Sequence, residues 1–180
     1  MNHSSDADLL AILAGGPPEA ARSALGELYT RYAGDVRRFL GRMLTNQNDI
    51  EDIVQDTFLA AARRAEAFQR GEAGPWLLSL AARRARDLLR RQRRAGRRAA
   101  LSMPEHRPAA AGPGLVGDVA VALDSLAPRE RVVLELRYVQ GLTHEQAASV
   151  LGVSPRTIKT WSSRALAQLR ARLAEMEAGG

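Results

Sequence analysis

The stretch LTHEQAASVLGVSPRTIKTWSSRALAQLR, from Leu142 to Arg170, leaves the chain little choice but two helices folded across a tight turn. Thr143 is a favourable N-cap, and Glu145 and Gln146 follow at the spacing from which a side chain reaches back to the free amides of a first turn. A helix is therefore predicted from about His144, with Ala147, Ala148 and Leu151 on its buried face. Gly152 stands where a helix needs a left-handed C-terminal residue, a conformation glycine adopts without steric cost. Ser154 then caps a second helix, and Pro155 suits its first position because the N–H it lacks would be unpaired there anyway. Ile158, Ala165, Leu169 and Leu173 recur at helical spacing, leaving Arg156, Thr157, Lys159, Thr160 and Arg164 outside. That layout matches a helix-turn-helix, whose second helix meets base edges with its N-terminal residues while basic neighbours hold phosphates. An amphipathic hairpin with a solvated charged face has the same periodicity; the paired caps and the glycine turn favour the DNA-reading form.

A DNA-binding chain should be basic, and the net charge of +6 with a pI near 10.8 agrees, but the charge lies away from the hairpin. Residues 1–82 carry 8 arginines against 11 acids, and residues 99–180 carry 9 Arg or Lys against 8 acids. The excess sits in RRARDLLRRQRRAGRR, Arg83 to Arg98, with nine arginines and one acid, Asp87. Leu88 and Leu89 interrupt the run at helical spacing, which suits a second nucleic-acid contact dominated by phosphate neutralisation better than a basic tail.

Elsewhere the periodicity is helical throughout. Leu25, Leu28, Tyr32, Val36, Phe39, Leu40 and Met43 form one helix face. A second helix is predicted from Asn48, burying Ile50, Ile53, Val54, Phe58 and Ala61, and a third from about Trp76, with Leu77, Leu80 and Ala81 inward and the arginines at its far end. Nothing alternates with period two, so the fold class is all-α. AALSMPEHRPAAAGPGLVG, Ala99 to Gly117, is rich in Ala, Pro and Gly and reads as a linker. Beyond it, a short helix ends near Leu126 and a longer one, with Val132, Val133, Leu136 and Val139 inward, stops at Gly141. With the hairpin these make a four-helix C-terminal domain. The organisation expected is a tail over residues 1–20, a helical domain over 21–98, a linker over 99–117 and a helix-turn-helix domain over 118–180.

Several chemistries are disfavoured. There is no cysteine, and His3, His106 and His144 are too scattered to suggest a metal cluster, so no cofactor or metal is expected. No apolar run approaches the roughly 20 residues of a membrane span, and no basic region precedes the short apolar segment near the N-terminus, so a soluble cytoplasmic protein without membrane insertion is expected. Asp49, Glu51, Asp52 and Asp56 could suggest a catalytic or cation site. On a helix, however, Asp49, Asp52 and Asp56 form one outward stripe with no basic or histidine partner expected nearby, and ligands of a hard cation must converge. A solvated face or a docking face for a basic partner helix is the expectation, and not an enzyme.

Two halves with separate nucleic-acid features, joined by a loose linker, resemble the extracytoplasmic-function (ECF) sigma factors of bacterial RNA polymerase. The resemblance covers roughly Leu25 to Leu173. NDIEDIVQDTFLAA is similar to region two's core-binding helix, PWLLSLAARRARDLLRR to its promoter-melting helix, and LDSLAPRERVVLELRYVQGLTHEQAASVLGVSPRTIKTWSSRALAQL to region four. The resemblance implies a transcription initiation factor whose partners are core RNA polymerase, promoter DNA and an anti-sigma factor, with no small-molecule substrate. It places Asp49, Asp52, Gln55 and Asp56 on the face that docks on the polymerase. It gives the minus-ten element to the loop from Gln69 to Gly74 and the helix after it, through Arg70, Trp76, Arg83, Arg84, Asp87, Arg90 and Arg91. It gives the minus-thirty-five element to Arg156, Thr157, Lys159, Thr160 and Arg164. The chain departs from the family pattern at Arg83, where Asn is common, and at Trp161 and Leu166, where Arg is usual; Trp161 has two uses open to it, stacking on a sugar or packing against protein. The competing reading is an autonomous helix-turn-helix regulator that binds its DNA tightly without polymerase.

Overall fold

A computed structural model describes residues 4–68, 72–94 and 115–178, which fall into two compact units divided between Arg97 and Arg98. Among the described residues the regular structure is helical, without strands.

The first unit opens with α1 (Asp6–Gly15), in the segment expected to be a tail. Ser5 caps it through a reciprocal pair with Asp8: the Ser5 Oγ accepts the Asp8 N–H at 3.2 Å, and the Asp8 carboxylate accepts the Ser5 N–H at 3.1 Å. Ten residues are too few to hold a helix in water unaided, so the helix depends on burying Leu9 and Leu10, each 2% exposed. Asp6 completes the attachment by accepting hydrogen bonds from Arg31, at 2.7 Å, and from the Tyr32 hydroxyl, both on α2 (Pro18–Gly41). Burial first, and then the Asp6 carboxylate, push the Tyr32 phenol well above its ordinary pKa. The correction to the tail is physical: two leucines and one acid find partners twenty-odd residues along the chain, beyond the reach of local periodicity.

α2 buries Leu28, Val36, Phe39 and Leu40 as expected and leaves Leu25 and Tyr32 half-buried; Met43, expected on the same face, lies past the helix end and is also half-buried. α3 (Gln47–Arg63) begins one residue before the expected start, because Asn46 accepts the N–H groups of Asn48 and Asp49 at 2.8 and 3.4 Å. All five apolar residues assigned to its inner face are buried. α4 (Ala73–Arg94) starts three residues ahead of Trp76. Pro75 does not obstruct it, since the N–H that proline lacks belongs to a first turn whose amides have no intrahelical partner. α2, α3 and α4 pack on one another, with α1 laid across α2.

The second unit comprises α5 (Leu115–Asp124), α6 (Pro128–Leu134), α7 (His144–Leu151) and α8 (Pro155–Ala178). Val132, Val133 and Leu136 are buried, but Val139, assigned to the same face, is 58% exposed. The cause is a π-helical turn over Glu135–Val139, marked by the Gln140 N–H donating five residues back to the Glu135 carbonyl at 2.9 Å. The wider turn advances each residue by less than an α-helix does, so Val139 rotates off the core with its neighbour Tyr138. In α7, Val150 takes the buried place given to Leu151, which is half-buried. The Thr143 cap forms as a box with Gln146, at 3.1 and 2.7 Å, and Gly152 has φ 66° and ψ 39°. Gly152→Ala is expected to cost about 1–2 kcal/mol, the penalty for a Cβ in that region, and to lower the melting temperature of the C-terminal unit by several degrees in a thermal scan.

Candidate polymerase and DNA interfaces

The acidic stripe forms on α3. Asp52, Gln55 and Asp56 are exposed and Asp49 is half-buried. Glu51 leaves the group: it faces α2, where Arg37 donates to it at 2.7 Å and holds its carboxyl below the ordinary range. Arg37 also reaches the Tyr29 hydroxyl at 3.0 Å, and the Tyr29 ring tilts against Phe58 at 4.9 Å. The stripe is not without partners, contrary to the sequence reading. Gln92 donates to Asp49 at 3.2 Å, and Arg84 Nε lies 3.5 Å from Asp56, because α4 runs beside α3. The Asp56 side chain is still 62% exposed, so that ion pair is weak and salt-screened. Sequence reasoning missed Leu59, 49% exposed. It follows Asp52, Gln55 and Asp56 at i+7, i+4 and i+3 and so shares their face; its place off the Ile50–Val54–Ala61 stripe was the available signal. Acids beside an exposed leucine suit a protein partner and would repel a nucleic acid.

The second candidate surface is α4. Trp76 is half-buried, its ring 5.3 Å from that of Phe68. Gly74 sits where an added Cβ would come within 3.1 Å of the Tyr32 ring, so the start of α4 leans on the same tyrosine that Asp6 fixes. Arg83, Arg90 and Arg91 are exposed; Arg84 is half-buried against Asp56, and Asp87 accepts from Arg90 at 2.5 Å. Asp87 therefore orients an arginine in this structure. Arg86 turns inward, and desolvation, followed by the charge of Arg90, lowers its pKa. Arg70, the linker residues up to Gly114 and the run beyond Arg94 lie outside the described residues.

The third is the N-terminal half of α8. Arg156, Lys159, Thr160 and Arg164 are exposed. Thr157 is half-buried and tied into the cap, its N–H donating to Ser154 Oγ at 3.1 Å and its hydroxyl 2.8 Å from the same atom. Thr160 back-bonds to the Arg156 carbonyl at 3.0 Å while staying exposed. Trp161 packs against protein: the Arg129 guanidinium of α6 lies 5.8 Å over its ring. Leu166 is half-buried against the cluster of Leu126, Leu134 and Ala165, so it packs where the family usually carries a charge. Among the described residues no group of three or more His, Cys, Asp or Glu side chains could hold a metal ion, and no helix is long and apolar enough to cross a membrane.

Three helical faces follow one another along the chain, one acidic on α3 and two basic on α4 and α8. Family models for Sigma-70 region 2 and Sigma-70, region 4 match residues 28–95 and 117–169. The chain is 33% identical to the RNA polymerase sigma factor CarQ of Myxococcus xanthus over 88% of its own length and 94% of that protein. It is 30% identical to the ECF RNA polymerase sigma factor SigK of Mycobacterium bovis, covering 93% of each. Among solved structures it resembles CnrH in complex with the cytosolic domain of CnrY (TM-score 0.64, 27% identity, 96% of this chain and 99% of that one). It also resembles the sigma factor RpoE in complex with the anti-sigma factor NepR from Bartonella quintana (TM-score 0.66, 25% identity, 83% and 96%). The chain belongs to the ECF sigma factors of RNA polymerase. It is a transcription initiation factor and not an enzyme.

Proposed function

We propose that the two units divide promoter recognition between them, residues 21–98 binding core polymerase and the minus-ten element and residues 118–180 binding the minus-thirty-five element. The observation that carries this is the separation of surfaces within the first unit. Asp52, Gln55, Asp56 and Leu59 offer an acidic and partly apolar face to protein, while Arg83, Arg90 and Arg91 offer an exposed basic face to phosphates. Asp49 belongs to the same docking face at its edge, beside Gln92. Opening a duplex means holding two anionic strands apart, which calls for more positive charge than reading intact DNA does; the arginines of α4 supply it. Trp76, paired with Phe68, offers a face on which an unpaired base of the minus-ten element stacks, Arg84 and Asp87 act further along α4, and Arg70, outside the described residues, is assigned to the same element. On α8, Arg156, Lys159, Thr160 and Arg164 contact the major groove and its phosphates while Thr157 fixes the helix start.

The factor acts in the cytoplasm, joining the nucleoid when bound to polymerase, and is held inactive by an anti-sigma protein. The support for the last point is the pair of solved relatives, one in complex with the cytosolic domain of CnrY and the other with the anti-sigma factor NepR. The direct test is reconstitution. Core polymerase given this chain is expected to start transcription at a discrete promoter in a genomic library from the source organism, and the chain alone is expected to bind that duplex at least a hundredfold more weakly. Tight specific binding without polymerase, and no promoter-dependent start with it, would make the chain an autonomous regulator.

A further inference from the structure

Glu130, in the first turn of α6, is 1% exposed. One carboxylate oxygen, Oε2, accepts the Ala127 N–H at 3.1 Å and closes the start of the helix. The other, Oε1, is buried and makes no hydrogen bond of good geometry, yet Arg164 Nε of α8 stands 3.2 Å from it at ion-pair distance. The Arg164 side chain is otherwise 59% exposed. One turn earlier on α8, Trp161 lies beneath Arg129, the neighbour of Glu130. Adjacent residues of α6 thus engage two residues of α8 that are three apart. A helix cap needs a single acceptor, so capping alone leaves the second oxygen, and its placement under Arg164, unexplained. A carboxylate this deeply buried cannot reach DNA, and an exposed one at the same place would repel it.

We propose that Glu130 is a positioning residue for promoter recognition: its buried charge keeps the Nε side of the Arg164 guanidinium beside α6 by ion pairing, which leaves the two terminal amino groups available to a guanine edge in the major groove. This rests on α8 being the recognition helix. A guanidinium is a rigid planar fork, so keeping its Nε side against Glu130 restricts where the other two nitrogens can go, and its terminal pair matches the O6 and N7 acceptors of guanine. Anchoring also removes rotamer freedom before DNA arrives, so less is lost on binding.

The test uses holoenzyme formed with full-length chain, a promoter carrying every single base-pair change in the minus-thirty-five element, and the variants Glu130→Gln, Arg164→Ala and both together. Gln keeps the acceptor for Ala127 and nearly the same volume. Arg164→Ala is expected to lose about tenfold in discrimination at one G·C pair. Glu130→Gln should lose discrimination at that same pair and no other, and the double variant should be no worse than Arg164→Ala. Thermal unfolding separates a merely structural role: the double variant should melt above Arg164→Ala, having no buried carboxylate left without its cation, while its DNA discrimination stays lost. If Arg164→Ala relaxes one base pair and Glu130→Gln relaxes none, the positioning role is wrong and the recognition helix stands. If Arg164→Ala changes no base preference, Arg164 does not read DNA and the proposal fails with it.

Discussion

Replacing Asp52 and Asp56 together with arginine is expected to abolish retention of core RNA polymerase in a pull-down, with a loss in affinity of at least about a hundredfold, or roughly 3 kcal/mol. Two carboxylates on an exposed helix face become two like charges against a basic partner, and juxtaposed like charges across an interface cost several kcal/mol. The fold should survive, because both side chains point to solvent and the core of α3 lies on the opposite face, on Ile50, Ile53, Val54 and Phe58. The two positions are not equivalent. Asp56 faces Arg84, so an arginine there also meets a repulsive neighbour on α4. Asp52→Arg alone avoids that neighbour and should retain much of the loss; Leu59→Ser should add a smaller one. Thermal unfolding of each variant checks that the helix is intact. Normal binding by a correctly folded double variant would remove α3 from the docking surface.

What could be read from the sequence follows from the range of the interactions involved. Caps and turns are local, so Thr143 with Gln146, Ser154 with Pro155 and left-handed Gly152 all stand where their residue types place them. The buried faces of α2 and α3 were legible because a single period spans each helix. The misreadings are non-local. Asp6 has meaning only once α2 presents Arg31 and Tyr32 to it, and Leu9 and Leu10 only once α1 packs on α2. Val139 obeys the helical period in the sequence and leaves the core because the backbone widens by one residue at Glu135, a change no side chain announces. The acidic stripe was visible, but Arg84 and Gln92 reach it across the α3–α4 contact, and Arg37 draws Glu51 away from it. The role of Glu130 was hidden for the same reason, since it is decided by a residue thirty-four positions later on α8.

Charge on α4 leads to the second large effect. Substituting Arg83, Arg84, Arg90 and Arg91 together by alanine is expected to lower the slope of log affinity against log salt for open promoter by up to about 2.8 if the four contacts are to a single strand and about 3.6 if to duplex, each phosphate contact contributing about 0.7 and 0.9 respectively. Internal pairing sets how that total divides. Arg84 stands 3.5 Å from Asp56 and Arg90 2.5 Å from Asp87, so in free protein part of their charge is already met by carboxylates, and fewer counterions are released when DNA replaces them. Exposed pairs of this kind are worth at most about 1 kcal/mol, so they yield to phosphate, but they reduce the net gain. Arg83→Ala with Arg91→Ala should therefore remove more of the slope than Arg84→Ala with Arg90→Ala. Between 50 and 200 mM salt the advantage of wild type over the fourfold variant should narrow by more than an order of magnitude. A fourfold variant with an unchanged slope would mean that α4 does not grip the phosphates, and the excess charge of this segment would have to serve something other than the opened strands.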